Sequence, residues 1–339
     1  ITMNGTLNVS GKVVVDGNYG EDGHQSNVVI ADQADVVNIG DGGLDPESHS
    51  GVTKAIPDGE NYTPIAYSEN ADDIMAAFEN GCFFDDMGMY AIIYDPNNPN
   101  LDPNTIYFGA TWVTYVTDKP EGFDAENIDS KEELAWVISI VNGFNGCTDD
   151  NEDPNHKHNP DLEVNITEDL DMTEHIWVPI GSETSKYIGN FDGGGNEIKI
   201  NCESLYGLGA TGLFGYVDNG AEISNVYAYG EVSSPDCDYM GSIAGVVSNG
   251  AQVHDCIGSL KLTTSKTYTI MGALVGLLDN ASLTSCITQA DMNGYLMGGL
   301  VGQNYNGASV KNCVLMQDCV VEEGVQLENV ILDKQVTIQ

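Results

Sequence analysis

A twelve-residue pattern returns four times in the second half of the chain, and it limits the possible folds more than any other feature. Gly215-Tyr-Val-Asp-Asn219-Gly-Ala-Glu-Ile223-Ser-Asn-Val226 recurs as Gly245-Val-Val-Ser-Asn249-Gly-Ala-Gln-Val253-His-Asp-Cys256. A third copy, one residue shorter, reads Gly276-Leu-Leu-Asp-Asn280-Ala-Ser-Leu283-Thr-Ser-Cys286, and a fourth Gly302-Gln-Asn-Tyr-Asn306-Gly-Ala-Ser-Val310-Lys-Asn-Cys313. The copies begin at Gly215, Gly245, Gly276 and Gly302, a period of roughly 30 residues. A period in this range signals stacked repeats, because one such unit is too small to bury its own apolar face.

Within each copy the aliphatic and Val/Cys positions suit a short strand pointing inward. The Asn before them suits a sharp corner, since Asn tolerates positive φ. Stacking the copies predicts three vertical columns. Ile223, Val253, Leu283 and Val310 form an aliphatic one, and Val226, Cys256, Cys286 and Cys313 a second. Asn219, Asn249, Asn280 and Asn306 form the third, with side-chain amides hydrogen-bonding from coil to coil.

Residues 210–318 resemble the GLUG repeats of bacterial surface proteins, carried by Gly212-Leu-Phe-Gly215 and Gly298-Gly-Leu-Val-Gly302. The preceding stretch is similar to the lead-in of those repeats: Ile128-Asp-Ser-Lys-Glu-Glu-Leu-Ala-Trp-Val, Ile166-Thr-Glu-Asp-Leu-Asp-Met172, Trp177-Val-Pro-Ile-Gly181 and Phe191-Asp-Gly-Gly-Gly-Asn-Glu-Ile198. The resemblance implies an all-β fold, a right-handed parallel β-helix or solenoid, in an extracellular or cell-surface, adhesin-like setting. It implies no defined activity. Residues 314–338 resemble the β-helix tail of bacterial ADP-glucose pyrophosphorylase subunits and read as a final coil.

Outside the repeats the pattern changes. Ser130 with Glu133 is a capping box, Leu134, Val137, Ile138 and Val141 form one apolar stripe, and Asn142-Gly143 ends the helix. Such a helix could lid the first coil, whose edge would otherwise lie open. Residues 1–60 alternate as strands or irregular coils. Residues 61–127 read as a small α/β insertion or separate lobe, with a helix over Asn70–Asn80 that turns Ile74, Met75 and Phe78 inward and strands near 89–94 and 105–116. The expected organisation is therefore 1–60, 61–127, a capping helix and first coils over 128–201, repeats over 202–318, and a terminal coil over 319–339.

Charge narrows the partners. The formal net charge is −41, and all 11 basic residues are lysines. Nucleic-acid binding needs cationic contacts, so it is excluded as a function class, and docking on anionic lipid with it. No apolar run reaches the roughly 18 residues of a membrane span. The start at Ile1 suits a processed chain. Eight cysteines in 339 residues are too few for a disulfide scaffold, and the column positions suit small apolar packing.

Asp149, Asp153, His156, His158 and Asp161 are the best metal candidates. Their oxygen donors would suit Ca²⁺, and the two histidines with Asp153 or Asp161 would suit Zn²⁺, although the spacing fits no known loop. A solvated loop is the competing reading. Asp85-Asp86, Asp149-Asp150, Asp169, Asp171 and Asp192 raise the alternative of a polysaccharide lyase or glycoside hydrolase. Tyr187, Tyr206, Tyr227, Tyr229, Tyr239, Tyr268, Tyr295 and Tyr305 raise glycan recognition. The first expectation is a non-enzymatic surface protein without a required cofactor. Its partners would be glycans, surface proteins or further copies of itself, added head-to-tail through Ile1–Val15 and Val320–Ile338.

Overall fold

The computed structural model describes residues 2–3, 5–18, 27–54, 62–86, 89–151, 153, 156–203, 209–234, 237–264, 266–306, 308–311, 313–316, 320–321, 326–328, 331–333 and 337–338. The chain forms two compact units, the first covering residues 1–111 and the second beginning at Trp112.

The second unit is a parallel β-solenoid. A complete coil has four strands, as in Gln252–His254, Ile257–Thr263, Ile270–Gly272 and Val275–Asp279. Equivalent strands stack into sheets of seven, eight, four and four members. The aliphatic column is present and longer than the repeats alone: Val164, Phe191, Ile223, Val253, Leu283, Val310 and Leu327 stand in direct register. Burying one such side chain is worth about 1.5–3 kcal/mol, and a slip by one residue would turn the whole column to solvent. That penalty sets the register.

Asn219, Asn249, Asn280 and Asn306 all take left-handed backbone, with φ between 48° and 53°. The amide ladder between them is corrected. Asn306 Nδ2 donates to Asp279 Oδ1 at 2.6 Å, the residue before the preceding coil's Asn. Asn249 lies beside the equivalent Asp218 and, against burial and after Lys186, helps hold that carboxyl below its ordinary pKa. A carboxylate is the stronger acceptor and wins over a neutral amide.

Three α-helices occur among the described residues: α1 over Ala71–Glu79, α2 over Trp112–Tyr115 and α3 over Lys131–Asn142. Helix α3 ends on Gly143 at φ +77°. Its start differs from a capping box: Glu133 accepts from the Asp129 amide (3.1 Å) and the Ser130 hydroxyl (3.0 Å), while Ser130 makes no cap bond of its own. The single apolar stripe is also too narrow an account, since Glu133 through Val141 are all buried. On one side Asn142 Nδ2 donates to Pro179 O and Asn142 Oδ1 accepts from the Gly181 amide. Elsewhere Asn145 donates to Val113 O, Val116 O and Ser139 Oγ, and Trp136 lies edge-on to His156. The helix is covered all round rather than lying as an amphipathic lid with one wet face.

In the first unit Leu7–Gly11, Val37–Leu44 and Tyr62–Ser68 stack in parallel, with Leu7, Val37 and Ala66 in register. Thr105–Gly109 and Ala91–Ile93 extend that sheet antiparallel. A second sheet contains Thr2–Met3, Val28–Ile30, His49–Thr53 and Phe83–Asp85. Residues 61–111 thus share sheets and core with residues 1–60 and are not a separate insertion. Helix α1 is capped by Asn70, whose side chain accepts from the Asp72 amide, and buries Ile74 and Ala77, with Phe78 packed on the core. Met75 is exposed, against expectation, because it falls off the i, i+3, i+4 face. The segment expected as a strand over 105–116 ends at Gly109, and Trp112–Tyr115 is α2.

Candidate functional site

The repeat's chemistry is steric before it is polar. Each coil turns a sharp corner between its third and fourth strands, and two glycine columns make that corner. A Cβ on Gly276 would lie 2.7 Å from Gly245 O and 2.7 Å from the Met240 amide nitrogen, both main chain. On Gly245 it would lie 2.6 Å from the Thr211 nitrogen, and on Gly302 2.7 Å from Gly276 O. These are the leading glycines of the pattern, and only a missing side chain lets the two sheets approach so closely. The companion column of Gly241, Gly272 and Gly298 would drive a Cβ into the carbonyls of Ala244, Val275 and Val301.

Residues 293–315 match the GLUG motif. The matched stretch includes this glycine corner, Val301–Tyr305, the left-handed Asn306 corner and Ser309–Lys311, so the GLUG motif covers two successive corners and the strands they join. No curated protein and no solved structure matches the chain. The resemblance of residues 314–338 to an ADP-glucose pyrophosphorylase tail therefore stands without support.

Beside the corner runs the thiol column. Val226, Cys256, Cys286 and Cys313 are buried. The Cys286 amide lies 3.4 Å from Cys313 Sγ. The Cys256, Cys286 and Cys313 thiols sit nearest the carbonyls of His254, Thr284 and Lys311, at 3.1, 3.3 and 3.2 Å, with the preceding coil's aliphatic carbonyl next at 3.7, 3.8 and 3.9 Å. Thiol–thiol hydrogen bonding together with burial pushes the Cys286 and Cys313 pKa values well up. Burial pushes Cys147 to about 12, and burial first, with Asp45 nearby, takes Cys82 to about 11. These five cysteines are all free thiols. Such thiols are inert packing groups rather than nucleophiles.

A second left-handed column escaped the sequence reading. Asn225, Asp255 and Ser285, each directly before the Val/Cys position, have φ between 53° and 58°. The signal was available: Asn, Asp or Ser recurs there in every copy, and these are the residues that satisfy a tight turn.

The proposed metal ligands do not assemble. His158 Nδ1 lies 2.8 Å from Asp149 Oδ1, while Asp153 Oδ2 takes Lys119 Nζ at 2.9 Å and His156 Nδ1 at 3.5 Å. Asp161 is exposed. Among the described residues no three His, Cys, Asp or Glu side chains are grouped to hold a metal ion. A lysine on the central carboxylate supplies the positive charge locally.

His158 Nε2 also lies 2.7 Å from Ser185 Oγ, which completes a Ser–His–Asp series with Asp149. Ser185 is buried, and its hydroxyl donates to Val141 O at 2.5 Å. A serine whose proton sits on a main-chain carbonyl has none for a histidine base. The nearby Ser185 and Tyr187 amides are engaged with Ser182 Oγ and Tyr216 O rather than free for an oxyanion. The series ties a loop to the helix end.

Most of the acidic candidates are likewise committed, while Asp150 is exposed. Asp85 accepts from the Met89 and Tyr90 amides, and Asp86 from Asn27 and Thr53. Asp169 accepts from the Glu197 amide, Asp171 from Thr173 and Lys199, and Asp192 from the Gly194 amide and Asn225 Nδ2. Of the tyrosines, Tyr187 is fully buried, and Tyr268, Tyr295 and Tyr305 are exposed. Tyr227 and Tyr229 form an exterior pair with ring centres 5.6 Å apart. Tyr206 and Cys319 lie outside the described residues.

Proposed function

We propose that this chain is a non-enzymatic structural protein of the cell surface, adhesin-like, whose solenoid acts as a stiff spacer and adds further copies head-to-tail through its terminal strands. A GLUG motif on a parallel β-solenoid carries the reading: the repeat positions are taken up by corners and core columns, which build a rod rather than a reactive cleft. The net charge of −41 supports a solvated exterior. Immunogold labelling of source cells tests the setting, with label on the envelope expected and label confined to the cytoplasm overturning it.

The carbohydrate-enzyme alternative has its own test. Turnover in a screen of acidic and neutral polysaccharides with Ca²⁺ added, abolished by Asp171→Asn or Asp192→Asn, would replace the structural reading. Glycan binding without turnover is favoured by Tyr227 and Tyr229, whose adjacent rings offer a stacking face. Saturable binding on a glycan array, lost in Tyr229→Ala, is the expected result.

A further inference from the structure

Among the described residues, two of the four solenoid sheets stop before the others. The sheets holding Ile223 and Tyr227 continue through Gln326–Glu328 and Ile331–Asp333. Those holding Met240 and Val247 end at Leu296–Gly298 and Val301–Tyr305. The cause is coil length. Ser282 pairs with Ser309 and Ser309 with Gln326, so the second of these coils is much shorter than the first. Among the described residues that shorter coil has three strands, Ser309–Lys311, Val314–Met316 and Val320–Val321, and no fourth. Among the described residues, Val301–Tyr305 pairs with Val275–Asp279 on one edge and with no strand on the other. Val320–Val321 comes near Leu296–Gly298 without pairing with it.

The side chains at this ledge are those of an interrupted core. Met297 is 44% exposed, although Met271, directly below it in register, is fully buried. Leu296 and Tyr305 are 47% and 48% exposed. Asn304 continues the inward column of Val217, Val247 and Leu278, and its Nδ2 is buried without a hydrogen-bond partner. A buried donor left unpaired is costly, and main-chain carbonyls are the acceptors that an added strand would bring.

We propose that this ledge accepts a β-strand from a second copy of the chain, with Leu7–Gly11 of the incoming copy laid parallel on Val301–Tyr305. The inference rests on the head-to-tail reading and names its acceptor surface, which is the interrupted fourth wall rather than the last coil. The two strands are matched at five residues each. Among the described residues Leu7–Gly11 pairs on one edge only, with Val37–Leu44, and it alternates half-buried Leu7 and Val9 with exposed Asn8 and Ser10. Docking would cover Leu296, Met297 and Tyr305 and give Asn304 Nδ2 a carbonyl. Because the two surfaces differ, the contact is heterologous and adds copy to copy in a ring or a filament. Like charges on the copies oppose it, so salt strengthens the association.

Sedimentation velocity of the full chain over a range of concentrations, at about 0.15 M and about 1 M NaCl, tests the proposal. The comparison is with Leu296→Asp/Tyr305→Asp, two exposed positions where the charge leaves folding intact, as an unchanged thermal midpoint verifies. The unaltered chain should form concentration-dependent oligomers, and the double variant should need about 30-fold more protein or higher to do so. A photo-cross-linker at Tyr295 should capture a peptide containing residues 7–11. Oligomers that persist in the variant, or a cross-link to another segment, overturn the ledge and leave head-to-tail assembly standing. A chain that stays monomeric at every concentration and salt overturns both.

Discussion

In the repeats, Ile223, Val253, Leu283 and Val310 stand above one another because each sits in the same local sentence of Gly, Asn and aliphatic residues. In residues 1–111, Leu7, Val37 and Ala66 hold the same relation at a similar spacing, with no shared sequence around them. There, single anchors take the place of repetition. Lys54 is buried, and its Nζ donates to the carbonyls of Gln33, Asp35 and Pro64 at 3.1, 2.6 and 2.7 Å. Asp86 gathers Asn27 and Thr53 around Gly51, where a Cβ would lie 2.5 Å from Asn27 Nδ2. One parallel topology is thus specified twice, once by periodic sterics and once by particular polar contacts.

The contrast breaks first at the glycines. Gly276→Val should destabilise the solenoid by about 3 kcal/mol or more, since main chain on a neighbouring coil blocks the new side chain. Gly11→Ala, at φ +69° with open space around it, should cost only about 1 kcal/mol. Equal urea midpoints for the two variants would remove the corner account.

Lys54→Met tests the other unit and should cost about 2–3 kcal/mol, because three carbonyls lose their donor. Burial lowers the Lys54 pKa to about 8, only partly offset by Asp35 and Asp32. Between about pH 8 and the ordinary lysine value the unfolded chain then binds more protons than the folded one. This group's contribution to stability therefore rises with pH across that window. Subtracting the Lys54→Met pH profile from that of the unaltered protein should isolate the rise, and a flat difference would refute it.

In the thiol column, Cys286→Val should change stability by less than about 1 kcal/mol, because Val226 already fills an equivalent slot. Cys286→Ser should cost about 1–3 kcal/mol by burying a hydroxyl. The native cysteines should also resist a thiol reagent until urea unfolds the chain. If serine is as well tolerated as valine, the column is not packed as described.

The smallest effect belongs to His254, which bridges Asp255 and Glu222 at 2.8 Å each. Burial would lower its pKa, but the two carboxylates outweigh that and raise it. Its contribution is thus complete below the ordinary histidine value and is lost as pH rises through the higher folded value. His254→Gln should cost under about 0.5 kcal/mol at pH 5 and nothing at pH 9, as thermal midpoints at the two pH values would show.

What could be read from the chain alone was whatever repeats. The aliphatic and thiol columns, the Asn corners and the parallel solenoid follow from residue order, because a local rule applied once per coil places every copy alike. Contacts between distant and dissimilar segments could not be read this way. Lys54 finding three carbonyls, Asn306 choosing Asp279 over the neighbouring asparagine, and α3 being covered on every side depend on which segments the fold brings together. The scattering of Asp149, Asp153, His156, His158 and Asp161 belongs with these. Sequence proximity puts ligands on one loop, but the direction each side chain points is decided by neighbours that only the folded chain supplies.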